Sequence, residues 1–190
     1  GVDVIQLRDK ILNDKMLLKR AMLARQIIDT AEHTPLMFMN DRPDLAVLSG
    51  ADGVHVGQAE LTVEQTRRIV GVDSIIGVST HSLDQVKQAV NDGANYIGCG
   101  PVFTSQTKEF DNFPGIEFLR QVVEATPMPA FAIGGISLDN IEEISAVGFT
   151  RVAVSACLTN TDDVTAMVAE LKGALDVNKN KAGKADAIRS

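Results

Sequence analysis

Four short runs of this chain alternate apolar with small or polar residues, and each is introduced by a glycine. Gly1, Gly50, Gly93 and Gly148 head runs that end at Arg8, Gly57, Gly100 and Ser155. Successive side chains of a strand point to opposite faces, so each run sorts into two sides. One side carries Ile5 and Leu7, Val54 and Val56, Ile97 and Cys99, Val152 and Val154, and is wholly apolar. The other carries Gln6 and Arg8, His55 and Gly57, Gly98 and Gly100, Ala153 and Ser155, and is small or polar. A glycine suits the left-handed position that ends a helix, so each run reads as helix end, loop, strand, four times over.

Three further β-prone runs, 36–39, 75–78 and 130–133, lie between these strands. Helices are expected over 14–32, 43–49, 115–126, 138–147 and 162–175, and the capping-box patterns Thr62-x-x-Gln65 and Ser82-x-x-Gln85 start two more. Strand and helix alternate throughout, which predicts parallel strands joined by helical crossovers. An apolar face against helices and a small or polar face pointing inward together predict an α/β fold of the TIM-type (β/α)8 barrel class. Seven βα units are visible, and Gly1 reads as the end of a preceding helix, so the first unit is expected to be missing. The expected organisation is an N-terminally truncated catalytic barrel over 1–176 and a polar tail over 177–190, a frayed helix or a disordered segment.

Composition narrows the function. At 190 residues with 45% hydrophobic and 23% charged residues, the chain is one globular domain. Its formal net charge of −7 disfavours nucleic acid or an anionic membrane as partner, so any anion site must be a local concentration of cations. Cys99 and Cys157 sit in apolar runs without a CxxC spacing and read as buried, reduced thiols. No apolar run reaches transmembrane length and no signal peptide is visible, which makes the cytoplasm the expected location.

In such a barrel the loops after the strands build the active site. The residues at those positions are Gln6, Arg8 and Lys10; Asn40 and Asp41; Gln58 and Glu60; Ser79 and His81; Ser105, Thr107 and Lys108; Gly134 and Gly135; and Ser155 with Ala156. Arg8, Lys10 and Lys108 form a cationic set that suits a ligand with several negative charges, such as pyrophosphate. The competing reading pairs Arg8 and Lys10 with Asp9 or with a carboxylate on the next strand. Asp41 and Glu60 follow neighbouring strands and could share a hard cation, Mg2+ beside phosphate. Gly134-Gly135 and Ser155-Ala156 offer backbone amides to a second phosphate. His55 reads as a satisfied interior histidine.

The motifs Gln-Leu-Arg-Asp-Lys at 6–10, Asn-Asp-Arg at 40–42, Gly-Val-His-Val-Gly-Gln at 53–58, Gly-Val-Ser-Thr-His at 77–81, Gly-Pro-Val-Phe-x-x-x-Thr-Lys at 100–108 and Ala-Ile-Gly-Gly-Ile at 132–136 resemble the thiamine-phosphate synthase family. The resemblance implies a Mg2+-dependent transferase. Such an enzyme joins 4-amino-5-hydroxymethyl-2-methylpyrimidine diphosphate to 4-methyl-5-(2-phosphoethyl)thiazole, or its carboxylate form, with release of pyrophosphate. It places pyrophosphate contacts on Gln6, Arg8, Lys10, Asn40, Ser105, Thr107 and Lys108, with Lys108, Arg8 and Lys10 acting in catalysis. It places metal carboxylates on Asp41 and Glu60, a pyrimidine-side serine at Ser79, and thiazole-phosphate contacts on Gly135, Ser155 and Ala156. The expected partners are these small-molecule substrates, with no nucleic acid and no membrane, and a homo-oligomer is compatible with them. Glu60 stands where the family's metal loop usually has aspartate. Thr104-Ser105 stands where it usually has Pro-Thr, and the Val-Ser-Ala-Cys end of the last strand where it tends to have a bulky apolar residue before Ser-Ala. The alternatives are a thiazole tautomerase of the same superfamily, with its histidine at His81, and a non-catalytic thiamine- or phosphate-binding barrel.

Overall fold

The structure, a computed structural model, describes residues 1–103 and 114–186, with backbone alone from 177 onward. Seven strands alternate with eight helices among them: β1 (Val4–Leu7), α1 (Asp14–Asp29), β2 (Leu36–Asn40), α2 (Pro43–Ser49), β3 (Gly53–Val56), α3 (Val63–Val70), β4 (Ile75–Thr80), α4 (Leu83–Asn91), β5 (Tyr96–Cys99), α5 (Gly115–Ala125), β6 (Ala130–Ile133), α6 (Ile141–Ala146), β7 (Val152–Ala153), α7 (Ala156–Thr159) and α8 (Val164–Asp186). The chain packs as two compact units, Gly1–Ser79 with Gln88–Tyr96, and Thr80–Lys87 with the chain from Ile97 on.

In the first unit β1, β2, β3 and most of β4 lie side by side in chain order, all parallel, with Ile5 opposite Met37, Asn40 opposite His55 and His55 opposite Gly77. In the second unit β5, β6 and β7 do the same. Parallel strands in chain order with a helix after each are the βα repeat of the TIM-type barrel class. The residues of the apolar face are mostly shut away from solvent, Val54 and Val56 in the first unit and Ile97 and Cys99 in the second, but the opposite face is covered as well, since β3 and β5 are buried at all four positions. Ile5 departs from this pattern at 38% exposed, because β1 is the outermost strand of its unit and pairs with β2 alone among the described strands.

Three of the repeat's glycines have the left-handed backbone that the pattern demands, with φ of 67° at Gly50, 76° at Gly93 and 95° at Gly148. The Thr62–Gln65 capping box forms in full, each side chain bonding the other residue's backbone N–H. At α4 only half of the box forms: Ser82 Oγ accepts from the Gln85 N–H at 3.3 Å, while the Gln85 side chain accepts from His81 N–H instead.

Several boundaries differ from expectation, α8 most of all, since the helix expected over 162–175 starts at Val164 and continues to Asp186, into the segment expected as a tail. Helix α1 stops at Asp29, where the Thr30 hydroxyl bonds back to the carbonyls of Gln26 and Ile27. Helix α6 begins at Ile141 rather than 138, since the Asn140 side chain ties Ser137 N–H and the Gly135 carbonyl into a turn of their own. Strand β4 continues to Thr80, whose fully buried hydroxyl donates to the Gly98 carbonyl at 3.0 Å.

Candidate active site

The strand ends of the first unit bring four of the expected residues together. Lys10, three residues past β1, places its ammonium against Asp41 Oδ2 and 4.0 Å from Glu60 Oε1. Asn40, the last residue of β2, donates from Nδ2 to the same Asp41 oxygen at 2.7 Å. Asp41 itself has φ 61°, the one left-handed non-glycine residue among those described. Aspartate tolerates that region better than most residues but still carries strain there, a cost that clusters at functional positions. Its N–H donates to the His55 carbonyl at 2.8 Å, so the turn that aims the carboxylate is fixed to β3.

Glu60 reaches the same place by folding over Gly57: a Cβ added at Gly57 would lie 2.4 Å from Glu60 Oε2. Two carboxylates that converge on one ammonium form a set of hard oxygen donors around a cation position. Among the described residues no group of three or more His, Cys, Asp and Glu gathers in this way. A two-carboxylate set suits Mg2+, which takes one or two carboxylates and fills its remaining positions with water and phosphate oxygens.

The cations divide. Lys10 is the residue for which the carboxylate-paired reading holds, although its side chain stays 53% exposed. Arg8 is exposed and has no ion pair among the described residues. Its sequence neighbour Asp9 is engaged elsewhere, capping the N–H groups of Ile11 and Leu12 and pairing with Arg20 at 2.8 Å. Those two backbone bonds, and then Arg20, hold the Asp9 carboxyl below its usual value. Gln6 is exposed as well.

Ser79 belongs to a buried polar chain that sequence reasoning did not find. His55 is 8% exposed, with Nδ1 2.9 Å from the Tyr96 hydroxyl and Nε2 2.9 Å from Ser79 Oγ. Both ring nitrogens are thus satisfied, as expected of an interior histidine. Burial pushes the imidazole down to about 4, with the charge of Asp41 opposing in part, so the ring is neutral at physiological pH. The Tyr96 hydroxyl is pushed upward by its burial and stays protonated.

The Tyr96 ring stacks on Phe38 with centroids 5.5 Å apart, and it fills space that only a glycine leaves, since a Cβ at Gly77 would come within 2.0 Å of it. Gln58 reaches across to donate to the Ser79 carbonyl at 2.6 Å. The available signal was Gly77 itself, a residue without a side chain on the inner face opposite His55.

The second unit holds the glycine pair and the last strand end. Gly134 and Gly135 have φ of 103° and 63°, and a Cβ at Gly134 would press on Pro101 at 2.7 Å. Gly135 is exposed, and its carbonyl accepts from Asn140 Nδ2 at 2.9 Å. Ser155 and Ala156 are exposed at the start of α7, and the Ser155 carbonyl accepts from the N–H groups of Leu158 and Thr159. His81 Nδ1 is bonded to the Gly100 carbonyl. Ser105, Thr107 and Lys108 lie outside the described residues. No described helix is long and apolar enough to cross a membrane.

Comparison with known proteins gives consistent results. The family model described as Thiamine monophosphate synthase matches residues 1–158. A protein named Thiamine-phosphate synthase from Rhodopirellula baltica is 52% identical over 167 residues, covering 85% of this chain and 44% of its own length. One of the same name from Prochlorococcus marinus is 40% identical over 175 residues, covering 92% of this chain and 50% of its own. The chain therefore spans about half the length of these curated relatives. A solved structure, the thiamine phosphate pyrophosphorylase from Pyrococcus furiosus, superposes with a TM-score of 0.84 at 31% identity, over 94% of this chain and 85% of that one.

Proposed function

Since the chain belongs to the thiamine monophosphate synthase family, we propose that it makes thiamine phosphate. On this reading it joins 4-amino-5-hydroxymethyl-2-methylpyrimidine diphosphate to 4-methyl-5-(2-phosphoethyl)thiazole, or its carboxylate form, and releases pyrophosphate. The observation that carries the reading is the convergence of Asp41 and Glu60 on the Lys10 ammonium, with Arg8 exposed beside the same strand end and without an ion pair among the described residues. An isomerase has no diphosphate to expel and no use for that set.

In the proposed reaction the bond between the pyrimidine methylene carbon and the diphosphate oxygen breaks first. The electron pair leaves with pyrophosphate, and the thiazole nitrogen donates its own pair to the pyrimidinylmethyl cation. Negative charge grows on the leaving group, so the protein's task is to place fixed positive charge and donors there in advance. Arg8 supplies a planar, permanently charged fork suited to phosphate oxygens. Lys10, with more than half of its side chain in solvent, supplies a second cation on a flexible stem. Gln6 and Asn40 add neutral donors, and Asn40 also fixes the carboxylate of Asp41. Ser105, Thr107 and Lys108 are assigned to the same leaving group, and Ser79 to the pyrimidine. Gly135, Ser155 and Ala156 are assigned to the thiazole phosphate through backbone amides. Asp41 and Glu60 would hold Mg2+, which when bound neutralises charge on the diphosphate. No protein nucleophile is required. The partners on this reading are the two substrates, in the cytoplasm, without nucleic acid or membrane, and self-association into a homo-oligomer is compatible with it.

The test is direct: purified protein, both substrates and Mg2+, with thiamine phosphate and pyrophosphate measured together. Equimolar formation of the two is expected, and its absence overturns the proposal. Lys108→Ala should lower turnover by roughly a hundredfold or more while leaving the affinity for thiazole phosphate nearly unchanged.

A further inference from the structure

The polar chain Tyr96–His55–Ser79 has no role in the reaction outlined above except at its Ser79 end. Tyr96 and His55 are each 8% exposed, whereas Ser79 is half-buried. Apolar residues would fill the interior beside Phe38 and Gly77 at lower cost than a phenol and an imidazole, which must both find partners when buried. The two groups satisfy each other at 2.9 Å, and the chain then ends, again at 2.9 Å, on the hydroxyl of a serine at the edge of the candidate site.

We infer that His55 and Tyr96 are positioning residues for the pyrimidine diphosphate, with Tyr96 fixing the His55 ring and His55 fixing the direction in which Ser79 presents its hydroxyl. This rests on the assignment of Ser79 to the pyrimidine.

A serine hydroxyl is a rotor with one donor and two acceptor positions. Ser79 is held at its backbone by the Gln58 bond to its carbonyl, so rotation of the side chain is the freedom left to it. A neutral imidazole has one N–H and one lone pair, so its bonds to Tyr96 and Ser79 run in opposite senses. If Tyr96 donates to Nδ1, Nε2–H donates to Ser79 and the serine proton faces the ligand. If Tyr96 accepts, the serine donates to Nε2 and offers the ligand a lone pair. The phenol thus decides, two residues away, whether the serine meets the pyrimidine as donor or as acceptor. An aminopyrimidine carries both kinds of group, so a hydroxyl with a set polarity distinguishes one orientation of the ring from its flip.

The experiment is a double-mutant cycle read on each substrate separately. Ser79→Ala, His55→Asn and Tyr96→Phe should each raise the KM for the pyrimidine diphosphate by roughly fivefold to tenfold, about the weight of one well-placed hydrogen bond. The KM for thiazole phosphate should be unchanged. Tyr96→Phe keeps the ring against Phe38 and Gly77 and tests the phenol alone, which covers the case in which His55→Asn unfolds. In a Ser79→Ala background, Tyr96→Phe should add little, because the group through which it acts is gone. Additive effects, or equal loss on both substrates, would mean that the pair merely supports the fold, and would overturn the inference while leaving the proposed activity standing. A KM for the pyrimidine diphosphate that Ser79→Ala leaves unchanged would remove the assignment of Ser79 itself and this inference with it. A wild-type protein that makes no thiamine phosphate would fail the proposed function as a whole.

Discussion

The strained backbone at Asp41 gives that residue two separable duties, to turn the chain and to present a carboxylate. Asparagine shares the tolerance for left-handed φ but not the charge. Asp41→Asn should therefore keep its melting temperature and lose Mg2+-dependent turnover by about a hundredfold, as ligand replacement commonly does. Thermal unfolding and a Mg2+ titration of rate check the two halves independently. His55 supports a prediction about acidity. Its imidazole titrates near 4 in the folded protein against 6.5 when free, so between those values the unfolded chain binds more protons. Stability attached to the neutral ring is complete above 6.5 and falls away as pH drops toward 4, by about 3 kcal/mol in all. The depressed carboxyls of Asp9, Asp14 and Asp44 lose their contribution only below their ordinary 3.8, so the window above 4 belongs to the histidine. Urea unfolding at pH 7 and pH 5 should differ by about 2 kcal/mol, and a flat profile would contradict the burial argument.

At the scale of elements, much of the architecture was legible because strand alternation and left-handed glycines are local signals, and both are present in the β3 and β5 runs. What was not legible is long in range or set by a single side chain. Tyr96 bonds a histidine 41 residues away, and no period announces that pairing. The start of α6 moved because Asn140 bonds two backbone groups, and Ile5 is exposed because its strand is outermost in its unit. The charged members of the site were legible for a different reason: Lys10, Asp41 and Glu60 follow neighbouring parallel strands, and parallel pairing carries their ends together whatever the details. The β3 loop supports a prediction of its own. Gly57 has no left-handed φ, so alanine fits its backbone, but the new methyl would displace the Glu60 carboxylate. Gly57→Ala should fold normally and require several-fold more Mg2+ for half-maximal rate. An unchanged Mg2+ requirement would show that Glu60 does not hold the metal.

The whole molecule is acidic, with a net charge of −7, yet the charged groups assigned to the diphosphate, Arg8, Lys10 and Lys108, are all cations. Attraction between them and a multiply charged substrate is local and should weaken as salt screens it. Tyr96 has a consequence for the chain as an optical object. The sequence contains one tyrosine and no tryptophan, so near-ultraviolet emission from the protein comes essentially from that single ring. The ring is buried, stacked on Phe38 and joined through His55 to Ser79. Pyrimidine diphosphate should change the tyrosine signal with a midpoint equal to its binding constant, and thiazole phosphate alone should leave it unchanged. Tyr96→Phe should be optically silent. The protein thus carries, without any label, a lamp wired to one substrate.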